Sequence, residues 1–169
     1  MSSASPLDQC FIAFDVSRHA PQTKKLEIKA APEGDKFEDR AFAALFQHRE
    51  ALGINKLWRC SGYRVDGYAE LTTGETVLLE MKESLSWGST TAMGFQLLAG
   101  RKLLQMPQVQ RGLIVFERMA KSWTNCPRGA WQQFAMEVQN VRECMQMGAL
   151  QVRADGSLCL GGGQVLSAV

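Results

Sequence analysis

Between Tyr63 and Lys82 apolar and charged residues alternate about a glycine-bearing bend, and one strand register satisfies both sides. Strands are predicted over Tyr63–Leu71 and Thr76–Lys82, joined by Thr72-Thr73-Gly74 as a three-residue hairpin loop. Such a loop takes glycine at its left-handed position. Leu71 then faces Glu75, Ala69 faces Val77 and Gly67 faces Leu79; Asp66 meets Glu80, Val65 meets Met81 and Arg64 meets Lys82. The odd-numbered residues form an apolar face, and Arg64, Asp66, Glu70, Glu80 and Lys82 form a charged one. A slip of one residue would mix the two faces.

Directly opposed like charges destabilise a sheet. Asp66 and Glu80 therefore call for a positive partner, and a divalent ion held by both carboxylates supplies it. Hard oxygen ligands suit magnesium, with manganese able to substitute. Lys82 lies two residues beyond Glu80, on the same face. Its ammonium can orient a water or neutralise charge developing on phosphate oxygens. The plainer reading of these three charges is a solvated, salt-bridged strand face.

A helix is predicted from Lys36 to Leu52, along Phe37, Ala41, Ala44, Leu45 and Leu52, with Asp35 as N-cap, Glu38 completing a capping box and Gly53 ending it. Short strands are predicted at Phe11–Val16, Leu26–Lys29 and Leu57–Cys60. After the hairpin come a helix over Ser89–Gln105 ended by Pro107, a buried strand at Arg111–Phe116, a helix over Ala130–Gly148 and a last strand at Leu150–Arg153. Residues 1–9 read as a tail. The pattern is an α/β layered domain, and 169 residues fit a single one.

Composition narrows the function classes. A net charge of +2 argues against a histone-like nucleic-acid coat. The five cysteines are widely spaced with no Cys-x-x-Cys pair, so they read as free thiols in a reducing compartment. No apolar run reaches the roughly 18 residues that span a bilayer. The N-terminal residues lack the basic start and apolar stretch of a secretory signal, so a cytoplasmic protein without a membrane partner is the expectation.

Val65-Asp66-Gly67, followed thirteen residues later by Glu80-Met81-Lys82, resembles the PD-(D/E)xK motif of the restriction-endonuclease-like nucleases. Val65 stands where the motif has proline, a departure that many members share. The order helix, three strands, helix, strand over about residues 36–118 is also similar to that family's core. The resemblance implies a restriction-endonuclease-like α/β fold of order α-β-β-β-α-β, with a mixed central sheet flanked by helices. It implies a Mg²⁺-dependent nuclease hydrolysing DNA phosphodiester bonds, an endonuclease of recombination, repair, phage or mobile-element type. Compact members commonly act as homodimers.

By resemblance Asp66 and Glu80 bind the metal and Lys82 assists the water. Glu38 is the best match to an acidic residue that many members place on the first helix, as a further metal ligand; a capping role is the equal alternative. Gln96, on an otherwise apolar stretch of the next helix, is a candidate catalytic residue. Some helicase-associated members follow such a glutamine with a tyrosine four residues on, where this chain has Gly100. Arg64, Arg101 and Lys102 are candidate nucleic-acid contacts. Three alternatives stay open: a binding module that kept the fold without catalysis, a site-specific restriction or homing endonuclease, and RNA as substrate.

Overall fold

The computed structural model describes residues 22–120, 145–160 and 163–169. Eight strands form one mixed sheet in sequence order: β1 (Lys24–Glu27), β2 (Ile54–Ser61), β3 (Gly67–Leu71), β4 (Thr76–Leu85), β5 (Arg111–Met119), β6 (Gln146–Val152), β7 (Leu158–Leu160) and β8 (Val165–Leu166). Neighbouring strands are antiparallel except for the central β4–β5 and β5–β6 pairs, which are parallel. Two helices, α1 (Phe37–Gln47) and α2 (Trp87–Leu103), complete the described elements. The chain is therefore α/β, but its order differs from the predicted one. A strand precedes the predicted run and three follow it. No described helix is long and apolar enough to cross a membrane.

The β3–β4 register is the predicted one, with Gly67 on Leu79, Tyr68 on Leu78, Ala69 on Val77 and Glu70 on Thr76. The bend is closed by the Leu71 and Gly74 N–H groups, which donate to Glu75 O and Leu71 O, and Gly74 has φ 86°. Strand β3 begins at Gly67, four residues later than predicted. Gly62 and Arg64 both adopt left-handed backbone, with φ 77° and 68°, and residues 62–66 bend away from the ladder. Hence the predicted pairings of Asp66 with Glu80, Val65 with Met81 and Arg64 with Lys82 are not part of the ladder.

The predicted charged outer face is also corrected. Leu78, Leu79, Glu80 and Met81 are all buried, because β4 is covered on both sides. On one side Leu79 and Met81 join Ala41, Phe42 and Leu45 of α1. On the other, Leu78 and Tyr68 join Met93 and Leu97 of α2. Helix α1 forms because Phe37, Ala41, Phe42, Ala44 and Leu45 recur at helical spacing and meet this sheet.

Helix α1 stops at Gln47, and residues 48–53 turn into β2 with Gly53 at φ 68°. Its N-cap is Lys36, with no side-chain cap, so neither Asp35 nor Glu38 caps the helix. Helix α2 does have a capping box, between Ser86 and Ser89, and starts two residues before the predicted Ser89. Strand β1 lies slightly earlier than predicted. Residues 146–148, predicted as helix end, are strand, and β6 is not the last. The rest of that predicted helix and the Phe11–Val16 strand lie outside the described residues. Cys60 and Cys159 are free thiols.

Gly100 explains how α2 reaches the bend. A methyl group there would overlap the side chain of Val65, so only glycine lets the helix lie flush against residues 62–66. Gly100→Ala is expected to cost about 1–3 kcal/mol by overpacking, lowering Tm by roughly 2–4 °C per kcal/mol. Adding Val65→Ala should recover part of the loss, a coupling that thermal melts of the three variants would measure.

Candidate active site

Where β3 stops, β4 continues, and the gap is closed by Asp66. Its N–H donates to Leu79 O at 3.1 Å, and its Oδ2 accepts the Met81 N–H at 2.7 Å. The carboxylate thus takes the place of a strand partner for a backbone donor that would otherwise be orphaned. Asp66 O accepts the Cys60 N–H at 2.8 Å, which ties the same residue to β2.

Glu80 is 6% exposed, and its Oε2 is buried without a hydrogen-bond partner. It lines a cleft of about 460 Å³ at the end of the sheet with Glu38, Cys60, Ser61, Gly62, Arg64, Val65, Asp66 and Gln96. The sequence-predicted residues Asp66, Glu80, Glu38, Gln96 and Arg64 therefore meet in one place. Lys82 does not line the cleft; it is exposed on β4, near enough to favour the ionised forms of Asp66 and Glu80. Arg101 donates to Val109 O, and neither it nor exposed Lys102 lines the cleft.

Glu38 is not free. Arg59 Nε donates to Glu38 Oε1 at 2.9 Å, and Arg59 Nη1 donates to Asp39 at 2.7 Å. One guanidinium thus bridges two carboxylates by charge-assisted bonds, and Glu38 makes no capping bond. Arg59 was missed by the sequence reading, since nothing in its local pattern marks which helix it will meet.

Burial sets the electrostatics. It pushes Asp66 up to about 6; the Met81 N–H opposes the shift, and Glu38 adds to it. Burial and then the Asp66 charge push Glu80 up to about 8. Two carboxylates share one cleft, and each disfavours ionisation of the other. A magnesium ion is commonly held by one or two carboxylates, with water and substrate phosphate completing its shell. Asp66 and Glu80, with the unpartnered Glu80 oxygen, fit that donor set. No trio of His, Cys, Asp or Glu among the described residues is arranged as a closed metal cage.

Compared with protein families, characterised proteins and solved structures, the chain has no match in any of the three.

Both carboxyls stand above their unfolded values, so the native state holds more protons than the unfolded chain between about pH 4 and pH 8. Metal-free stability should therefore be greatest at the acidic end and fall as pH rises through that window. Glu80→Gln removes the buried anion at nearly constant shape. It is expected to stabilise the metal-free protein at about pH 9 by on the order of 1–3 kcal/mol. Thermal melts in EDTA should show the variant's Tm depending less on pH than the parent's.

Proposed function

We propose that the chain is a Mg²⁺-dependent nuclease that hydrolyses DNA phosphodiester bonds at a PD-(D/E)xK-type site built from Asp66, Glu80 and Lys82. The observation that carries this reading is a pair of carboxylates in one cleft, half-buried Asp66 and buried Glu80, the latter with an oxygen that no described protein group satisfies. A buried acid without a partner is costly unless its position serves a ligand. The run α1–β2–β3–β4–α2–β5, with β4 parallel to β5, supports a restriction-endonuclease-like core.

Bound Mg²⁺ would polarise the phosphate and make its water a better nucleophile. The residues set the geometry for it. Asp66 is held by the Met81 N–H, so its second oxygen keeps a fixed direction toward the cleft. Glu80, fixed by burial on β4, supplies the other charge from the neighbouring strand. Lys82 stands just outside, where an ammonium can orient the attacking water and offset charge on the phosphate oxygens. Gln96 can donate its amide to either. The water oxygen forms the new bond to phosphorus, the ester P–O bond breaks, and the leaving oxygen takes a proton. Glu38, neutralised by Arg59, keeps a third carboxylate near the pair without leaving it uncompensated.

Asp66→Ala and Glu80→Ala are each expected to reduce Mg²⁺-dependent plasmid nicking by about 10²-fold or more, and Lys82→Ala by a similar factor. EDTA should stop the reaction. Full nicking by folded Asp66→Ala protein would refute the site.

Protons compete with the metal for the same carboxylates. At limiting Mg²⁺ the rate should therefore fall as pH drops below about 8, the value to which Glu80 is raised. Raising Mg²⁺ should move that midpoint to lower pH. Initial rates over a pH and Mg²⁺ grid test this, and a midpoint indifferent to Mg²⁺ would count against metal binding by the pair.

A further inference from the structure

One wall of the cleft is made by the end of β2 and the 62–66 bend, on which α2 packs through Gly100, and strand β1 pairs with that end of β2. Lys24 and Lys25 pair with Ser61 and Cys60, two residues of that wall. Paired residues of an antiparallel ladder point to the same face. Lys25 therefore rises on the side where Cys60 meets the cleft. Its Nζ sits 5.5 Å from the centre of the Tyr63 ring, a cation–π contact that holds the ammonium next to the bend. One residue further, Arg64 is exposed and lines the cleft itself.

Two features hold these groups together. A Cβ at Gly62 would lie 2.6 Å from the Gln22 carbonyl oxygen, so the left-handed glycine lets the bend pack directly on the start of β1. Arg64 also takes left-handed backbone (φ 68°), uncommon for a non-glycine residue and costly to maintain. The other arginines around the site are engaged: Arg59 with Glu38 and Asp39, Arg40 with Glu117. Neither Lys25 nor Arg64 has a carboxylate partner among the described residues. Two uncompensated cations thus stand on the rim of a cleft whose floor is acidic.

We propose that Lys25 and Arg64 form a phosphate-binding rim that docks the DNA strand flanking the cleaved bond. The inference rests on the nuclease reading for its substrate and on the rim's charge for its location. Cations at the entrance favour the approach of a polyanion to the Asp66–Glu80 floor, and among the described residues neither of these two has a competing carboxylate. The cation–π contact preorganises Lys25, so less freedom is lost there on binding.

The test uses the full chain in EDTA, with labelled single-stranded and duplex DNA. Affinity is measured by anisotropy from about 50 to 200 mM salt, where each phosphate contact contributes about 0.7–0.9 to the slope of log affinity against log salt. Lys25→Gln and Arg64→Asn are each expected to reduce the slope by about one and the double variant by about two. Asparagine is chosen at 64 because it tolerates left-handed backbone. Lys56→Gln, at an exposed β2 position paired with Glu70, is the control and should leave the slope unchanged. Lys25→Arg should retain it. An unchanged slope in the double variant, or an equal loss in the control, would overturn the rim.

The two readings fail separately. Rim-dependent binding without Mg²⁺-dependent nicking by the parent protein leaves the docking surface standing and refutes the nuclease. Nicking with a rim-independent slope does the reverse.

Discussion

Everything about the cleft depends on how β4 is held where its antiparallel neighbour ends. At Gly67 the β3 ladder stops, yet β4 runs on to Leu85 as the parallel partner of β5. The Met81 N–H would then be left in the interior without an acceptor. Asp66 supplies one from its side chain while its own N–H bonds Leu79 O. A buried amide left orphaned costs on the order of 1–3 kcal/mol, so the carboxylate is retained for the fold as well as for any ligand. Its position follows from a backbone requirement, which is why it is fixed so closely beside Glu80.

That fixed position creates the electrostatic tension at the site. Glu80 sits beneath α2 on a strand covered from both sides, and the Asp66 charge stands beside it. Burial and repulsion act in the same direction, keeping the pair partly protonated in the absence of a cation. Helix α2 contributes through Gly100, which lets it meet Val65, and through Gln96, one turn earlier, which faces the cleft. Position 100 therefore has a packing reason to be glycine.

Charge around the floor is apportioned unequally. Arg59 is consumed by Glu38 and Asp39, which relieves α1 of two carboxylates close to the sheet end. Lys82 is exposed and biases both site acids toward ionisation without touching the cleft. Lys25 and Arg64, beside the 62–66 bend, have no carboxylate partner among the described residues. A nearly neutral protein can in this way carry an acidic floor and a basic rim within one cleft, a pattern invisible in the net charge.

The alternating stretch around Thr72-Thr73-Gly74 determined the hairpin register by itself, because a period of two and a glycine bend admit one pairing. Helical spacing likewise located α1 and α2, since the apolar stripe is a local property of the chain. The meeting of Glu38, Asp66, Glu80 and Gln96 required that both helices reach one end of the sheet, which the sequence suggested only through a resemblance. Local pattern gave no warning of the left-handed Arg64, which ends the β3 ladder early, nor of the burial of Glu80. It did not reveal that Arg59 bonds Glu38, or that residues 146–148 are strand. Each of these depends on partners far along the chain: a helix over a strand, a guanidinium across a layer, a parallel neighbour in a sheet. Propensity and periodicity describe a segment's own preferences, and burial is decided by what the rest of the chain lays against it.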